Sequence, residues 1–326
     1  MNTEFTKEAN YPIDEVLQKK VWHLEDSYKY CERLARMHYE NFPVGSVLIP
    51  KKLRPHVWAV YAFARRADDI ADEDFFEADR IPALNAWEGL LEQSLQGRVK
   101  HPVFIALKET MRQFELPLQL FKDLLTAFKM DVNIKRHPDF SHLLYYCHHS
   151  ANPVGRLILL LFGYQDEKLM LLSDKICTAL QLANFWQDVA VDLKKGRIYI
   201  PQEDFLMFNY SEMELLNKTF NPNFQKLMDF EISRTEQMFQ EGSELVQYLK
   251  GRLRWEIKCI VLGGMTILKK IREFNFDTLT KRPTIRKNDK ISILSKSIIG
   301  FRKAMKTKFS QQNSASLSQT NPGGEL

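Results

Sequence analysis

The sequence predicts an all-α protein, and three observations predict it. Apolar residues recur at three- and four-residue spacing over most of the chain, as in "SYKYCERLARMHYENF" and "LRPHVWAVYAFARRADDIADE". Clear alternating strand patterns are absent. Gly and Pro stand at only 13 each in 326 residues, too few for a fold rich in tight turns. With 44% apolar residues the chain can bury one large core or two smaller ones, and no fixed-period repeat or linker divides the body.

The elements follow in order. Residues 27–42 and 53–73 carry the first two helical patterns, and Pro55 suits a first helical turn. Further helices are expected near 82–96, 102–114, 117–130, 140–162, 166–194, 211–249 and 252–274. Breaks fall at Pro43, Pro50, Gly97, Pro117, "RHPD", Gly163 and "GRIYIP". Pro153 should kink the 140–162 helix, and Gly155 should permit a close helix approach.

From Lys281 the composition changes. "KRPTIRKNDKISILSKSIIGFRKAMKTKF" has Asp289 as its only acid, and Ile291, Leu294, Ile298, Phe301 and Met305 recur at helical spacing. The expected organisation is therefore a helical body over 1–280, a basic amphipathic segment over 281–309, and a disordered tail over 310–326. The basic segment suits an anionic membrane surface; a helix packed on the body is the alternative.

Composition excludes several classes. A net charge of +5 is mild, and no nucleic-acid partner is expected. The cysteines, Cys31, Cys147, Cys177 and Cys259, form no C-x-x-C pair, so a reduced chain without structural zinc is expected. "MNTEFTKEANYP" lacks a signal-peptide pattern, and no segment offers the ~20 apolar residues of a spanning helix. The expected location is cytoplasmic, with peripheral attachment at the inner membrane face open.

Two acidic clusters interrupt this apolar pattern. "RRADDIADE" places Asp68 and Asp72 four residues apart, with Arg65 one turn before. "QLANFWQDVAVD" repeats the device: Gln181, Asn184, Asp188 and Asp192 would lie within roughly a quarter of a helix circumference. A lone pair of this kind is commonly a solvated face. Two pairs, both on apolar helices, are costly if they face the interior, unless a cation or hydrogen bonds neutralise them. Hard oxygens suit Mg²⁺, which takes one or two carboxylates together with waters and substrate phosphate oxygens. A bridging diphosphate would make ionisation of a substrate the chemistry.

These residues resemble the squalene/phytoene synthase family of head-to-head prenyl synthases. The likeness runs from about Tyr28 to Phe274. "YAFARRADDIADE" looks like the family's first aspartate motif, and "QLANFWQDVAVDLKKGRIYIP" like its second, including Arg197 and Tyr199. The resemblance implies an isoprenoid-synthase helical bundle around a deep central cavity. It also implies that Asp68, Asp72, Asp188 and Asp192 carry catalysis by binding Mg²⁺ and diphosphate, with Arg65, Gln181 and Asn184 close by.

Departures from the family pattern carry finer information. Where the family usually reads His-x-Ser-x-Ser-Phe, this chain has "HYENF", keeping His38 and Phe42 but placing Tyr39 and Asn41 at the serines. Gln187 stands where an arginine usually precedes the third aspartate, and "YCHHSANPVG" replaces the usual Tyr-Cys-x-x-Val-Ala-Gly-x-Val-Gly. Together they resemble the bacterial hydroxysqualene synthase branch of squalene and hopanoid formation. Loss of a phosphate-binding arginine and two hydroxyls fits a site holding one diphosphate instead of two. The substrate implied is presqualene diphosphate, ionised, rearranged and captured by water to give hydroxysqualene. Condensation of two farnesyl diphosphates is the alternative, and a non-catalytic assembly subunit a third reading. Contact with other squalene-pathway enzymes is a further implication.

His38, Asn41, Phe42, Tyr61, Arg65, Tyr146, Gln181, Asn184, Arg197 and Tyr199 are the expected substrate-binding set. Tyr61 and Tyr146 divide evenly between cavity wall and core. Phe185 and Trp186 are expected in the core, and His148 and His149 are read as structural. Arg197 is expected on a flap over the diphosphate, and Lys195 in solvent.

Overall fold

α-Helix is the only regular structure in the computed structural model, which describes residues 21–37, 49–72 and 79–306. His38, Asn41 and Phe42 lie outside the described residues. The first half comprises α1 (Leu24–Met37), α2 (Arg54–Asp72), α3 (Arg80–Leu95), α4 (Pro102–Phe114) and α5 (Leu118–Asn133). The second half begins with α6 (Phe140–Ser150), α7 (Asn152–Leu161), α8 (Glu167–Gln187), α9 (Val189–Lys194), α10 (Gln202–Met207) and α11 (Glu212–Leu216). It continues with α12 (Pro222–Gly242), α13 (Leu245–Tyr248), α14 (Gly251–Glu273), α15 (Lys287–Ile299) and α16 (Phe301–Lys306).

Three expected helices are divided, each for a local reason. The 140–162 pattern splits at Ala151 instead of kinking, because Pro153 lacks an N–H and fits only the first turn of a new helix. The 166–194 pattern breaks at Asp188, whose φ −106° and ψ 16° leave helical geometry. The 211–249 pattern becomes α11, α12 and α13: Lys218 adopts φ +53°, and Asn221 caps the new helix by accepting from the N–H groups of Asn223 and Phe224.

Two apolar cores result. One joins α1 to α5 around Phe63, Trp87, Phe104 and Phe121; the other gathers the second half around Trp186, Phe224 and Phe239. Helix α7 belongs to both: Leu157 and Leu161 enter the first, Leu159 the second. That dual burial explains why "LILLL" is apolar on every side. Helix α8 packs against α7, α12 and α14 and so lies at the centre of the second half. Its approach to α7 requires Gly155, where a Cβ would stand 2.5 Å from Cys177 Sγ and closer still to Ser173 Oγ.

The basic segment is rearranged relative to expectation. Helix α15 ends at Gly300 and α16 restarts, so the five apolar residues do not share one face. Phe301 and Met305 are buried, whereas Ile291, Leu294 and Ile298 are exposed.

Glu256 on α14 is buried, and that burial pushes its carboxyl up to about 7. The folded-state value lies above the unfolded one. Between roughly pH 4.5 and 7 the native state therefore holds the extra proton, and stability falls as pH rises through that window. Glu256→Gln is expected to raise unfolding free energy by about 1–3 kcal/mol at pH 8 and to leave it nearly unchanged at pH 4.5, measured by urea melts.

Candidate active site

Helix α2 turns one face to its core through Val57, Ala59, Phe63, Ala67 and Ile70. Tyr61, Arg65, Asp68 and Asp72 follow one another at four, three and four residues, which places them on a single stripe of the helix. Arg65 reaches Asp68 Oδ2 at 3.2 Å and also pairs with the buried Asp69. Burial pushes Asp68 up to about 6; Arg65 opposes that shift, and Asp72 and Asp69 reinforce it. Tyr61 stands in the same field, its phenol pushed up by burial and influenced by Arg65, Asp68 and Asp69.

The second cluster is built on a helix end instead of a continuous helix. Gln181 and Asn184 lie on α8, Asp188 occupies the junction, and Asp192 lies on α9. Asp188 accepts from two Arg282 nitrogens, Nε at 2.5 Å and Nη2 at 3.0 Å, and Gln187 Nε2 donates to the carbonyl of Pro283 at 2.5 Å. Burial pushes Asp192 up to about 7; Asp188 adds to the shift, and Arg197, Lys195 and Arg282 oppose it.

A turn carries the chain from one cluster to the other. Gly196 takes φ +70°, and the Arg197 N–H returns to the Asp192 carbonyl at 2.9 Å, closing α9 in a left-handed cap. Arg197 then reaches Asp72, Nη2 to Oδ1 at 2.6 Å, across 125 positions of sequence. Lys195 reaches the other Asp72 oxygen at 3.4 Å. Burial works against ionised Asp72, but the bond and charge of Arg197, with Lys195, hold it below the ordinary carboxylate range. Lys195 is exposed, as expected, and from solvent its charge also favours the ionised forms of Asp68, Asp72 and Asp192.

Behind the charges lies an aromatic wall. Phe185 and Tyr199 stack at 3.7 Å with planes 7° apart, and Tyr146 lies 6.1 Å and 6.0 Å from them. Phe185 is buried in the second core, as expected, and its ring also borders the site through Tyr199. Trp186 stays in the core, donating to Thr235 Oγ1 at 2.8 Å. The Tyr146 hydroxyl donates to Asp131 Oδ1 at 2.8 Å. Burial pushes Asp131 up to about 6, with the Tyr146 bond and Arg197 opposing. His137 stacks on Tyr199, and burial lowers its pKa to about 4, so it is neutral near pH 7. Phe185, Asp192, Arg197 and Tyr199 line one narrow pocket.

Of the expected residues, Tyr61, Arg65, Asp68, Asp72, Tyr146, Asp188, Asp192, Arg197 and Tyr199 are joined in this network. Gln181 is half-buried and Asn184 exposed on α8. His149 packs against Tyr145, its ring nitrogen 2.9 Å from that residue's carbonyl. Sequence reasoning missed Asp131, His137 and Arg282. Only Asp131 had a visible signal, an acid within the helical pattern of α5.

The donor set fits magnesium with a diphosphate. Burial raises the proton affinity of Asp68 and Asp192, and a metal ion would serve the same carboxylates. Among the described residues no three His, Cys, Asp or Glu side chains already form a closed metal site. Magnesium needs none, because substrate phosphate oxygens complete its shell.

Such a body, all helix with two acid clusters joined by shared cations, is of the class that handles a diphosphate leaving group. Comparison with known proteins agrees. A family model described as squalene/phytoene synthase matches residues 35–289. A phytoene synthase from Arthrospira platensis is 30% identical over 270 residues, 79% of this chain and 87% of that protein. The crystal structure of squalene synthase HpnC from Alicyclobacillus acidocaldarius is 38% identical and superposes with a TM-score of 0.75, covering 78% of this chain and 95% of that one. A dehydrosqualene synthase structure, 24% identical with a TM-score of 0.76, covers 90% of this chain and all of its own, and supports the fold. The chain belongs to the squalene/phytoene synthase family. Its members are enzymes that condense or rearrange prenyl diphosphates, typically with a divalent metal. No described helix is long and apolar enough to cross a membrane.

Proposed function

We propose that this protein ionises presqualene diphosphate with magnesium and directs water to the rearranged cation, releasing hydroxysqualene and diphosphate. The observation that carries ionisation is the pairing of Asp72 with Arg197 and Lys195, which ties the two acid clusters into one site. Asp68, Asp72, Asp188 and Asp192 would hold the magnesium, and magnesium would supply charge neutralisation of the departing diphosphate. Arg197 and Lys195 stand between the clusters, where negative charge develops on the leaving oxygens. Phe185, Tyr146 and Tyr199 form a buried aromatic cluster beside the charges, and its π-density would favour a carbocation held next to it. Neutral His137 adds no opposing positive charge near pH 7.

Gln187 supports the narrower reaction. Its amide is engaged by the Pro283 carbonyl and provides no cation for a second diphosphate. The 38% identical neighbour is described as a squalene synthase, which supports a C30 product. A condensing reading is favoured by the phytoene synthases among the curated relatives. Incubation with presqualene diphosphate and, separately, with farnesyl diphosphate, followed by mass spectrometry, decides between them. Hydroxysqualene from presqualene diphosphate and no product from farnesyl diphosphate is the expected result. A C30 product from farnesyl diphosphate alone overturns the narrower reaction, and no turnover of either overturns both.

A further inference from the structure

Helix α15 shows two opposed faces, and only one is spoken for. The inner face is fixed to α14. Trp255 Nε1 donates to Ser297 Oγ at 2.7 Å, Lys258 Nζ donates to the Ser297 carbonyl at 2.9 Å, and Ile293 packs against the second core. Lys270 holds Asp289 at 2.9 Å. The helix is therefore unable to roll its outer face inward. That outer face carries Ile291, Leu294 and Ile298, exposed by 66%, 44% and 70%, with Ile299 beside them at 88%. Positions i, i+3 and i+7 form one narrow stripe.

The charges on this helix have one sign, and the acids near it, Glu241 and Glu244, line the groove at its Ile298–Ile299 end only. Lys287, Lys290 and Lys296 are exposed on the same helix, and its only acid is the one already neutralised by Lys270. A protein partner for an apolar stripe would have to be acidic at its rim. An anionic lipid surface presents negative headgroups above an apolar interior, which is the complement of isoleucines flanked by lysines. We propose that α15 docks this protein on an anionic lipid surface, with Ile291, Leu294 and Ile298 entering the headgroup boundary and Lys287, Lys290 and Lys296 facing the phosphates. The inference stands on this surface and not on the reaction proposed above, although a C30 alcohol needs a bilayer to receive it.

The test is sedimentation of the full chain with vesicles of equal phosphatidylglycerol and phosphatidylcholine, and with phosphatidylcholine alone. Binding is expected to the anionic vesicles only and to weaken with salt. The triple changes Ile291→Ser/Leu294→Ser/Ile298→Ser and Lys287→Glu/Lys290→Glu/Lys296→Glu should each lower partitioning by about tenfold or more, with helical circular dichroism and magnesium-dependent pyrophosphate binding kept. Failure of the wild type to sediment with anionic vesicles, or equal binding by both variants, overturns the proposal. So does a lipid-free dimer that the serine variant converts to monomer, because a second copy would then own the stripe. Pyrophosphate binding reports separately on the active site, so either reading can fail alone.

Discussion

Asp188→Asn lowers turnover of a prenyl diphosphate by about 10²–10³-fold or more while the helical circular dichroism is retained. Asparagine keeps the shape and the hydrogen-bonding oxygen of the side chain but loses its charge. The position is sheltered structurally: the main chain of Asp188 closes α8 through its N–H to the Asn184 carbonyl at 2.9 Å, and it opens α9 by accepting from Val191 and Asp192. Neither link needs the carboxylate. The carboxylate meets only Arg282 among the contacts described above. Its removal leaves the fold's backbone connections intact and removes one of four anions from the proposed metal site. Asp68→Ala is expected to behave alike. Full activity in either variant would refute the assignment.

Arg197→Ala is the second large effect, with turnover expected to fall by about a hundredfold. Arg197 is placed by the Gly196 turn and largely shielded from solvent, so its guanidinium is held and not free to wander. Arg197→Lys keeps the charge without the planar fork and should recover part of the loss. If the residue served only to brace Asp72, the lysine variant and the alanine variant would share one KM and differ in melting temperature. Steady-state kinetics of both, beside thermal melts, distinguish these cases: a rise in KM together with a fall in turnover for alanine supports a role at the diphosphate.

Much of this was legible before any coordinates. The helical class followed from three- and four-residue periodicity, which the packing of α2, α4 and α14 repeats almost residue for residue. The Tyr61–Arg65–Asp68–Asp72 stripe followed from helix geometry alone. The second cluster was harder. A continuous helix through Asp192 satisfied the same spacing, and nothing in the residue types marks the departure of Asp188 from helical geometry. Lys195 illustrates the same limit: a lysine in "LKKGR" reads as a solvated turn, as it is, and only the fold brings that turn to Asp72 on another helix. Arg282 lies 94 positions from Asp188, in a segment whose composition announced only positive charge. Asp131 and His137 carry no motif by themselves, and only the folded aromatic wall gives them a setting. Phe301 and Met305 were misgrouped with Ile291 because Gly300 interrupts a helix that periodicity alone continues.

The most direct measurement is a calorimetric titration of magnesium and inorganic pyrophosphate into the wild type, Asp72→Asn, Asp192→Asn and the double variant. One cargo held by both helices predicts that either single change weakens binding by about tenfold or more, and that the double change adds little to either. Unchanged affinity in one of the single variants, or losses that add in full, would contradict a shared site.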